Sequence, residues 1–167
     1  MNLDISRKVR LGKSNVGLII ATVLAAFSLA ALPAAASLGG SVDSVQADQT
    51  QMKATARVAA STADYTVHEI QSSNGTIVRE YVSPGGQVFA VTWRGVALPN
   101  LQQILGPYFT QYANARKQAR MQQPGHGPLS IQEPGLVVHV GGHMRFYVGK
   151  AYVPQMVPAG VPVDALQ

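Results

Sequence analysis

Four residues near the end of the chain have the types and the spacing to bind an anion. Gly141, Gly142, His143 and Arg145 fall within five positions. Consecutive glycines allow a close approach to the main chain, and a histidine and an arginine beside them supply positive charge. We predict a ligand-binding site here for an anion or a peptide carboxylate, and a tight turn explains the two glycines equally well.

The histidines of the chain raise two further kinds of chemistry. A small hydrolase or a metal-dependent enzyme would be centred on His139, His143 and Arg145, with His143 or His68 as the base for a nucleophile. No serine lies in a nucleophile-elbow sequence, and histidines without an accompanying carboxylate are a weak zinc signal even with His126 upstream. We therefore assign no catalytic residue, no metal ligand and no cofactor, and the enzyme is the alternative to a binding protein.

Composition limits the architecture that can carry such a site. A chain of 167 residues allows one domain, and its charged fraction of 13% argues against a coiled coil or a charge-driven disordered chain. The sequence contains no cysteine. Disulfides, zinc–thiolate sites and thiol catalysis are therefore excluded.

The first 36 residues have the pattern of a secretory signal peptide. Four cations precede an apolar run from Val16 to Leu32, and Pro33 and three alanines come after that run. We predict a signal peptide over residues 1–36, cleaved between Ala36 and Ser37. Because the apolar run has 17 residues, an uncleaved membrane anchor is the alternative.

Removal of that segment changes the charge balance and with it the class of partner. Residues 37–167 carry nine Lys and Arg against seven Asp and Glu, so the net charge falls from +5 to +2. Most of the net positive charge then belongs to the targeting segment and not to the mature protein, and nucleic acid is excluded as a partner. No second apolar run approaches a membrane span, so we expect an exported protein, periplasmic or secreted and free of the membrane, whose partner class is another exported protein.

The segment after the predicted cleavage point differs in composition from the rest of the domain. Residues 37–63 are small and polar without a sustained period, and we predict a flexible lead-in. Three runs rich in β-branched and aromatic residues come next, which predict an antiparallel meander. These runs are Tyr65–Gln71, Thr76–Val82 and Gln87–Trp93.

The charges of the first two runs select their register. A three-residue loop ending at a left-handed Gly75 pairs Glu69 with Arg79 and His68 with Glu80, whereas a two-residue turn sets the two glutamates opposite each other. Cross-strand charge pairs contribute about 0.2–1 kcal/mol each. We therefore predict the three-residue loop, which also explains both glutamates without a paired-carboxylate active site.

A helix with an interruption is predicted after the meander. Asn100 is a candidate N-cap, and the apolar stripe after it is Leu101, Ile104, Leu105, Tyr108, Phe109 and Tyr112. Gly106-Pro107 predicts either a kink or a break into two helices. We interpret Arg116, Lys117 and Arg120 as a solvated helix end that complements the helix dipole, rather than as an anion-binding patch.

A second β block closes the domain. Its three runs are Pro128–Gln132, Leu136–Val140 and Met144–Val148. A three-residue loop Gly141–His143 would oppose Leu136, Val138 and Val140 with Val148, Phe146 and Met144, and would leave His139, Arg145 and Tyr147 on the other face. We predict that loop, because it gives one apolar face.

Together these elements predict an α+β protein. Its antiparallel sheet would consist of two three-stranded units flanking one amphipathic helix, with the domain at 64–153 and an irregular tail at 154–167. The function predicted for it is a non-catalytic binding module for another envelope or secreted protein, acting through an exposed strand edge.

The chain also resembles a family of exported proteobacterial proteins that is classed only as a domain of unknown function. The resemblance rests on six motifs, which are Leu38–Gly40, Gly75–Val82, Gly86–Trp93, Leu98–Leu101, Leu105-Gly106 with Tyr108-Phe109, and Gly141–Arg145. It covers nearly all of the chain after residue 36. It implies export, but it brings no catalytic residue, ligand or fold.

Overall fold

A computed structural model describes residues 37–42, 45, 49–50 and 54–167 of the chain. The predicted signal peptide, including Ala36 at the predicted cleavage point, lies outside the described residues.

Seven antiparallel strands form one sheet at the centre of the fold. The strands are β1 Thr55–Ser61, β2 Thr66–Gln71, β3 Ile77–Val82, β4 Val88–Gly95, β5 Leu129–Glu133, β6 Leu136–His143 and β7 Phe146–Tyr152. Their order in the sheet is β1-β2-β3-β4-β7-β6-β5. The predicted α+β class is confirmed, and the two meanders, which meet where β4 pairs with β7, have four and three strands.

Residues predicted to be a flexible lead-in are part of this fold. Strand β1 forms one edge of the sheet, and Leu38 is fully buried in the core. The Leu38 N–H donates to the Ile104 carbonyl at 3.0 Å, and the Gly39 N–H donates to the Val88 carbonyl at 2.8 Å. The prediction is wrong for these residues because a strand of small side chains owes its order to its neighbour and not to an apolar pattern of its own.

The helical segment is broken, as one of the two alternatives predicted. Helix α1 spans Leu101–Leu105, a 3-10 turn spans Gly106–Tyr108 and helix α2 spans Phe109–Gln122. The Asn100 side chain accepts hydrogen bonds from the N–H groups of Gln102 and Gln103 at 3.1 and 3.3 Å, which confirms the N-cap. Three residues of the predicted stripe, Leu101, Ile104 and Leu105, are buried in α1.

Both faces of the sheet carry a core. The inner face, which packs on the helices, is centred on Trp93, the largest fully buried side chain. The outer face holds a smaller cluster around Tyr81 and Phe89, which Leu166 helps to cover. Leu166 belongs to the C-terminal segment (residues 154–167), which is irregular as predicted except for two 3-10 turns, Pro154–Met156 and Val163–Ala165.

The predicted register is confirmed in one hairpin and wrong in the other. Glu69 pairs with Arg79 and His68 with Glu80, as the three-residue loop requires. In the β6–β7 hairpin, however, His143 is the last residue of β6 and pairs with Phe146, so the turn consists of Met144 and Arg145.

That correction moves side chains to different faces of the sheet. Val140 opposes Gly149, and Val138 opposes Ala151. Phe146 and Val148 therefore lie on the outer face with His139, where they are 52% and 41% exposed.

The reason is a contact between distant strands. Gly149 pairs with Trp93 of β4, and a Cβ at Gly149 would overlap the indole ring. Only glycine fits beneath Trp93, so this pairing sets the register of β7 and, through β7, that of the hairpin.

No helix in the described part of the chain has the length and apolar character needed to cross a membrane.

Candidate functional site

One row of polar side chains crosses all seven strands on the outer face. From β1 to β5 the row is Arg57, Glu69, Arg79, Thr92, Lys150, His139 and Ser130, each paired with the next across neighbouring strands. Side chains opposite each other in a sheet interact directly. The row therefore forms a continuous polar band, which we call the polar row.

A buried carboxylate organises the first part of the polar row. Glu69 accepts from Arg57 Nη2 at 2.7 Å and from Arg79 Nε at 2.9 Å, and its side chain is only 7% exposed. The two hydrogen bonds from Arg57 and the one from Arg79 hold the pKa of Glu69 below its ordinary value even though burial acts in the opposite direction. Glu69 is therefore an anion in a bridge between two guanidinium groups.

Lys150, near the other end of the polar row, faces the C-terminal segment. Its Nζ donates to the Val163 carbonyl at 3.0 Å and lies 3.5 Å from a carboxylate oxygen of Asp164, which is exposed. Beyond it, Ser130 Oγ and His139 Nδ1 are 3.1 Å apart. This end of the row combines a cation, an imidazole and a hydroxyl.

The C-terminal segment covers the outer face on one side of the polar row. Leu166 packs with Val67 and Tyr81, and the Gln167 main-chain oxygen accepts from Arg79 Nη1 and from the Tyr81 hydroxyl, both at 2.7 Å. The outer face thus holds a polypeptide segment by apolar contacts and by side-chain donors to main-chain oxygens.

On the other side of the polar row the outer face is open, and Leu166 and Gln167 of the C-terminal segment line the edge of the opening. A trough of about 680 Å³ runs along a second cross-strand row, which is Ile77, Arg94, Val148 and Gly141. Phe146 lines the trough, and so do four basic side chains. These are Arg79, Arg94, Lys150 and His139. None of the described residues that line the trough is acidic, so the trough suits a ligand with apolar and negatively charged groups.

A second cavity lies on the inner face. It is a cleft of about 820 Å³ between α2, residues 125–127 and the β6–β7 hairpin. Arg116 and Arg120 of α2, His126 and His143 line it. The cationic end of α2, which we predicted to be only a solvated helix end, thus lies beside part of the predicted ligand site.

Three of the four residues predicted to bind a ligand line the cleft, and Arg145 does not. Gly141 lines the trough and the cleft, whereas Gly142 and His143 line only the cleft. Arg145 occupies the turn with φ 67° and lines neither cavity. Gly142 has φ 104°, and a Cβ there would overlap the Phe146 carbonyl oxygen, so its close approach is to the chain's own strand β7.

The histidines are also separated. His139 and His143 lie four residues apart along β6, which is about 13 Å at the rise of a strand. His68 is half-buried on the inner face, and burial lowers its pKa. Among the described residues, no group of three or more His, Asp or Glu is placed to hold a metal ion.

Sequence reasoning did not predict that Arg79, Arg94, Lys150 and Ser130 line one trough with His139. These residues come from four strands, and only the long-range pairing of β4 with β7 brings them together. The one available signal was the alternation of side chains between the two faces of each strand, which puts Arg79 on the same face as Ile77 and Lys150 on the same face as Val148.

The fold and its cavities define a small α+β protein with ligand-sized cavities on both faces of one antiparallel sheet. The chain belongs to the family described as protein of unknown function DUF2844, whose model matches residues 34–166. Neither a curated protein nor a solved structure matches the chain.

Proposed function

We propose that this protein is an exported, non-catalytic binding module and that the trough binds a segment of another exported protein. The observation that carries the proposal is the apolar floor of the trough beside its cations. Phe146 and Val148 are large apolar side chains left 52% and 41% exposed on the outer face. Exposed apolar patches rimmed by polar residues are typical of interaction sites.

A polypeptide fits the trough better than a compact molecule. The trough reaches from β3 to β5, which is about 19 Å at the usual spacing of strands and equals the length of about six extended residues. The adjacent half of the same face already holds the C-terminal segment through Lys150 and Arg79. The same kinds of donor are available to a second segment lying alongside it.

The charges of the trough define the composition of that segment. Arg94 is exposed on β4, and no described carboxylate forms an ion pair with it. An acidic side chain on the partner would pair with Arg94, while apolar side chains would cover Phe146 and Val148. The proposed ligand is therefore an extended segment with alternating acidic and apolar residues.

Export is the second part of the proposal. Its support is the basic, apolar and small-residue order of residues 7–36. An intact mass that begins at Ser37 for protein recovered from the envelope or the medium is the expected result. A mass that retains residues 1–36 would contradict cleavage and favour an anchored protein.

Photo-crosslinking in cells tests the trough. We expect a photoreactive phenylalanine analogue at position 146 to form an adduct with an exported protein, mapped to an acidic and apolar segment. The same analogue at Met121, which is 68% exposed on α2, is the positional control.

Charge reversal completes that experiment. Arg94→Glu should reduce the adduct about tenfold, corresponding to about 1.4 kcal/mol, whereas Lys117→Glu on α2 should leave it unchanged. Equal adducts at 146 and Met121, or no effect of Arg94→Glu, would contradict the proposal.

One contact favours a second candidate function, hydrolysis. Ser130 Oγ lies 3.1 Å from His139 Nδ1 at the edge of the trough, and a hydroxyl beside an imidazole is the minimal pair for an acyl transfer. A fluorophosphonate probe distinguishes the two functions. Labelling that Ser130→Ala and His139→Gln both abolish would establish a nucleophile, whereas an unlabelled wild-type protein leaves the pair as a cross-strand hydrogen bond.

A further inference from the structure

The cleft on the inner face concentrates positive charge that the proposed function does not use. Arg116 and Arg120 are one turn apart on α2 and both line the cleft. Arg120 Nη2 donates to the Gly127 carbonyl at 2.6 Å, which ties the loop 125–127 to the helix. Arg116 has no carboxylate partner among the described residues.

Tyr112 lies in the wall of the cleft together with Arg116 and Arg120. Its side chain is buried at the helix and lines the cleft wall. Burial raises the pKa of the Tyr112 hydroxyl, and the charges of Arg116 and Arg120 oppose that rise, so both cations lie within electrostatic reach of the hydroxyl. The two cations and the buried hydroxyl thus share one wall of the cleft.

The opposite wall adds donors and no negative charge. Tyr147 comes from the β6–β7 hairpin, and His126 comes from the loop that Arg120 holds. None of the described residues lining the cleft is acidic. An anion that enters the cleft therefore meets only cations and neutral donors.

The remaining walls are apolar. Leu98, Leu101, Leu129 and Val140 line the cleft, and Leu98 is 44% exposed. The volume of about 820 Å³ lies within the range of about 300–1,000 Å³ that is typical of small-molecule sites. The cleft can bury an apolar body while its charged end stays at Arg116.

We propose that this cleft is a second binding site, which takes a small organic anion with an aromatic or other apolar body. The anionic group, a carboxylate or a phosphate, pairs with Arg116, and the apolar body lies against Leu98 and Leu129. This site is on the opposite face of the sheet from the trough and does not depend on the proposed function.

Amide chemical-shift titrations of the isotope-labelled protein test the site with three matched probes. The probes are 1-naphthoate, 1-naphthyl phosphate and the neutral 1-naphthalenemethanol. We expect saturable binding of at least one anion with shifts at the Gly127, Gly142 and His143 amides. The neutral probe should bind about tenfold more weakly. The tighter of the two anions identifies the anionic group.

Two variants of neighbouring helix positions separate the cleft from general charge. Arg116→Gln should weaken binding of the anion at least fivefold, whereas Lys117→Gln removes the same charge outside the cleft and should change binding less than twofold.

Defined results would overturn this inference. These are no saturation by either anion up to about 5 mM, equal binding of the neutral probe, or an unchanged affinity in Arg116→Gln. Failure here leaves the trough untouched, because the trough is tested at Phe146 and Arg94 on the other face.

Discussion

Gly142 shows how one residue of a predicted ligand site serves the fold instead. Its φ of 104° lies where side chains are strained, and a Cβ would overlap the Phe146 carbonyl oxygen. The neighbouring Gly141 has ordinary backbone angles, and a Cβ there would make only a normal contact with Val148.

We predict that Gly142→Ala lowers the free energy of unfolding by about 1–3 kcal/mol or more, because backbone strain at such a position costs that much. Gly141→Ala is the matched control and should change it by less than about 1 kcal/mol. Urea unfolding of both variants measures the difference. Equal midpoints would show that Gly142 is not constrained by β7.

Glu69 gives the protein a pH dependence with a definite sign. Its folded-state pKa is lowered by Arg57 and Arg79, so its ionised form stabilises the fold above the ordinary value of 4.5. That contribution is lost as the pH falls below 4.5 through the folded-state pKa. We predict a corresponding fall in the urea midpoint that begins as the pH drops toward 4.5 and continues below it.

A glutamine at this position removes the titrating group. Glu69→Gln should be less stable at pH 7 and should lose the part of the acid-dependent fall that Glu69 supplies. Glu133→Gln, which alters a carboxylate outside the described ion pairs, is the control and should keep the wild-type profile. Identical profiles for wild type and Glu69→Gln would refute the assignment.

At the scale of elements, the break between α1 and α2 depends on Gly106 more than on Pro107. Gly106 has φ 48° and ψ −122°, and a Cβ there would overlap the Ser37 side chain. Pro107 is exposed at the start of the 3-10 turn.

We therefore predict that Gly106→Ala lowers the free energy of unfolding by about 1–3 kcal/mol or more. Pro107→Ala should change it by no more than about 1 kcal/mol, mainly through the unfolded chain. Thermal unfolding of the two variants compares them directly. A larger loss for Pro107→Ala would assign the break to proline.

The two hairpins show which parts of the fold the sequence could predict. In β2–β3 the information is local, because the charges of Glu69 and Arg79 and the position of Gly75 all favour one register. The turn at Gly75 has the positive φ that was predicted, 82°.

In β6–β7 the local pattern is misleading. Two glycines indicated a turn, but the left-handed residue of the turn is Arg145, and Gly149 must lie beneath Trp93. The contact between Gly149 and Trp93 links residues 56 positions apart, so it cannot be predicted from the sequence of the hairpin alone.

The candidate sites, like the β6–β7 hairpin, depend on contacts between residues that are distant in the sequence. The positive charge of Arg116 and the glycines at 141 and 142 could be recognised from the sequence. The sequence did not show that α2 and the hairpin face each other across a cleft. The trough was not predicted because its residues alternate with core residues on five strands. Its assembly needs the order of the whole sheet.

At the scale of the whole molecule, both ends of the described chain stabilise the sheet. Leu38 enters the inner core, and Leu166 enters the outer core. A sheet with a core on each face needs cover on both, and these two segments complete what α1 and α2 provide.

We predict that Leu38→Ala lowers the free energy of unfolding by about 2–5 kcal/mol, because the cavity is fully enclosed. Leu98→Ala alters a leucine that is 44% exposed and should cost less than about 1 kcal/mol. Chemical unfolding of the two variants measures this, and similar losses would show that the chain near Leu38 is not docked in solution.

The docking of Leu38 also imposes an order of events on the proposed export. Ser37 is only 6% exposed, and the next two residues are hydrogen-bonded to β4 and α1. A peptidase needs an accessible, extended stretch of chain on both sides of the bond that it cuts. Maturation and folding therefore compete for the same residues, and cleavage at Ala36–Ser37 has to come first. A precursor that folds before it is cut would keep its leader, whereas Leu38→Ala, by delaying the docking, would lengthen the time available for cleavage.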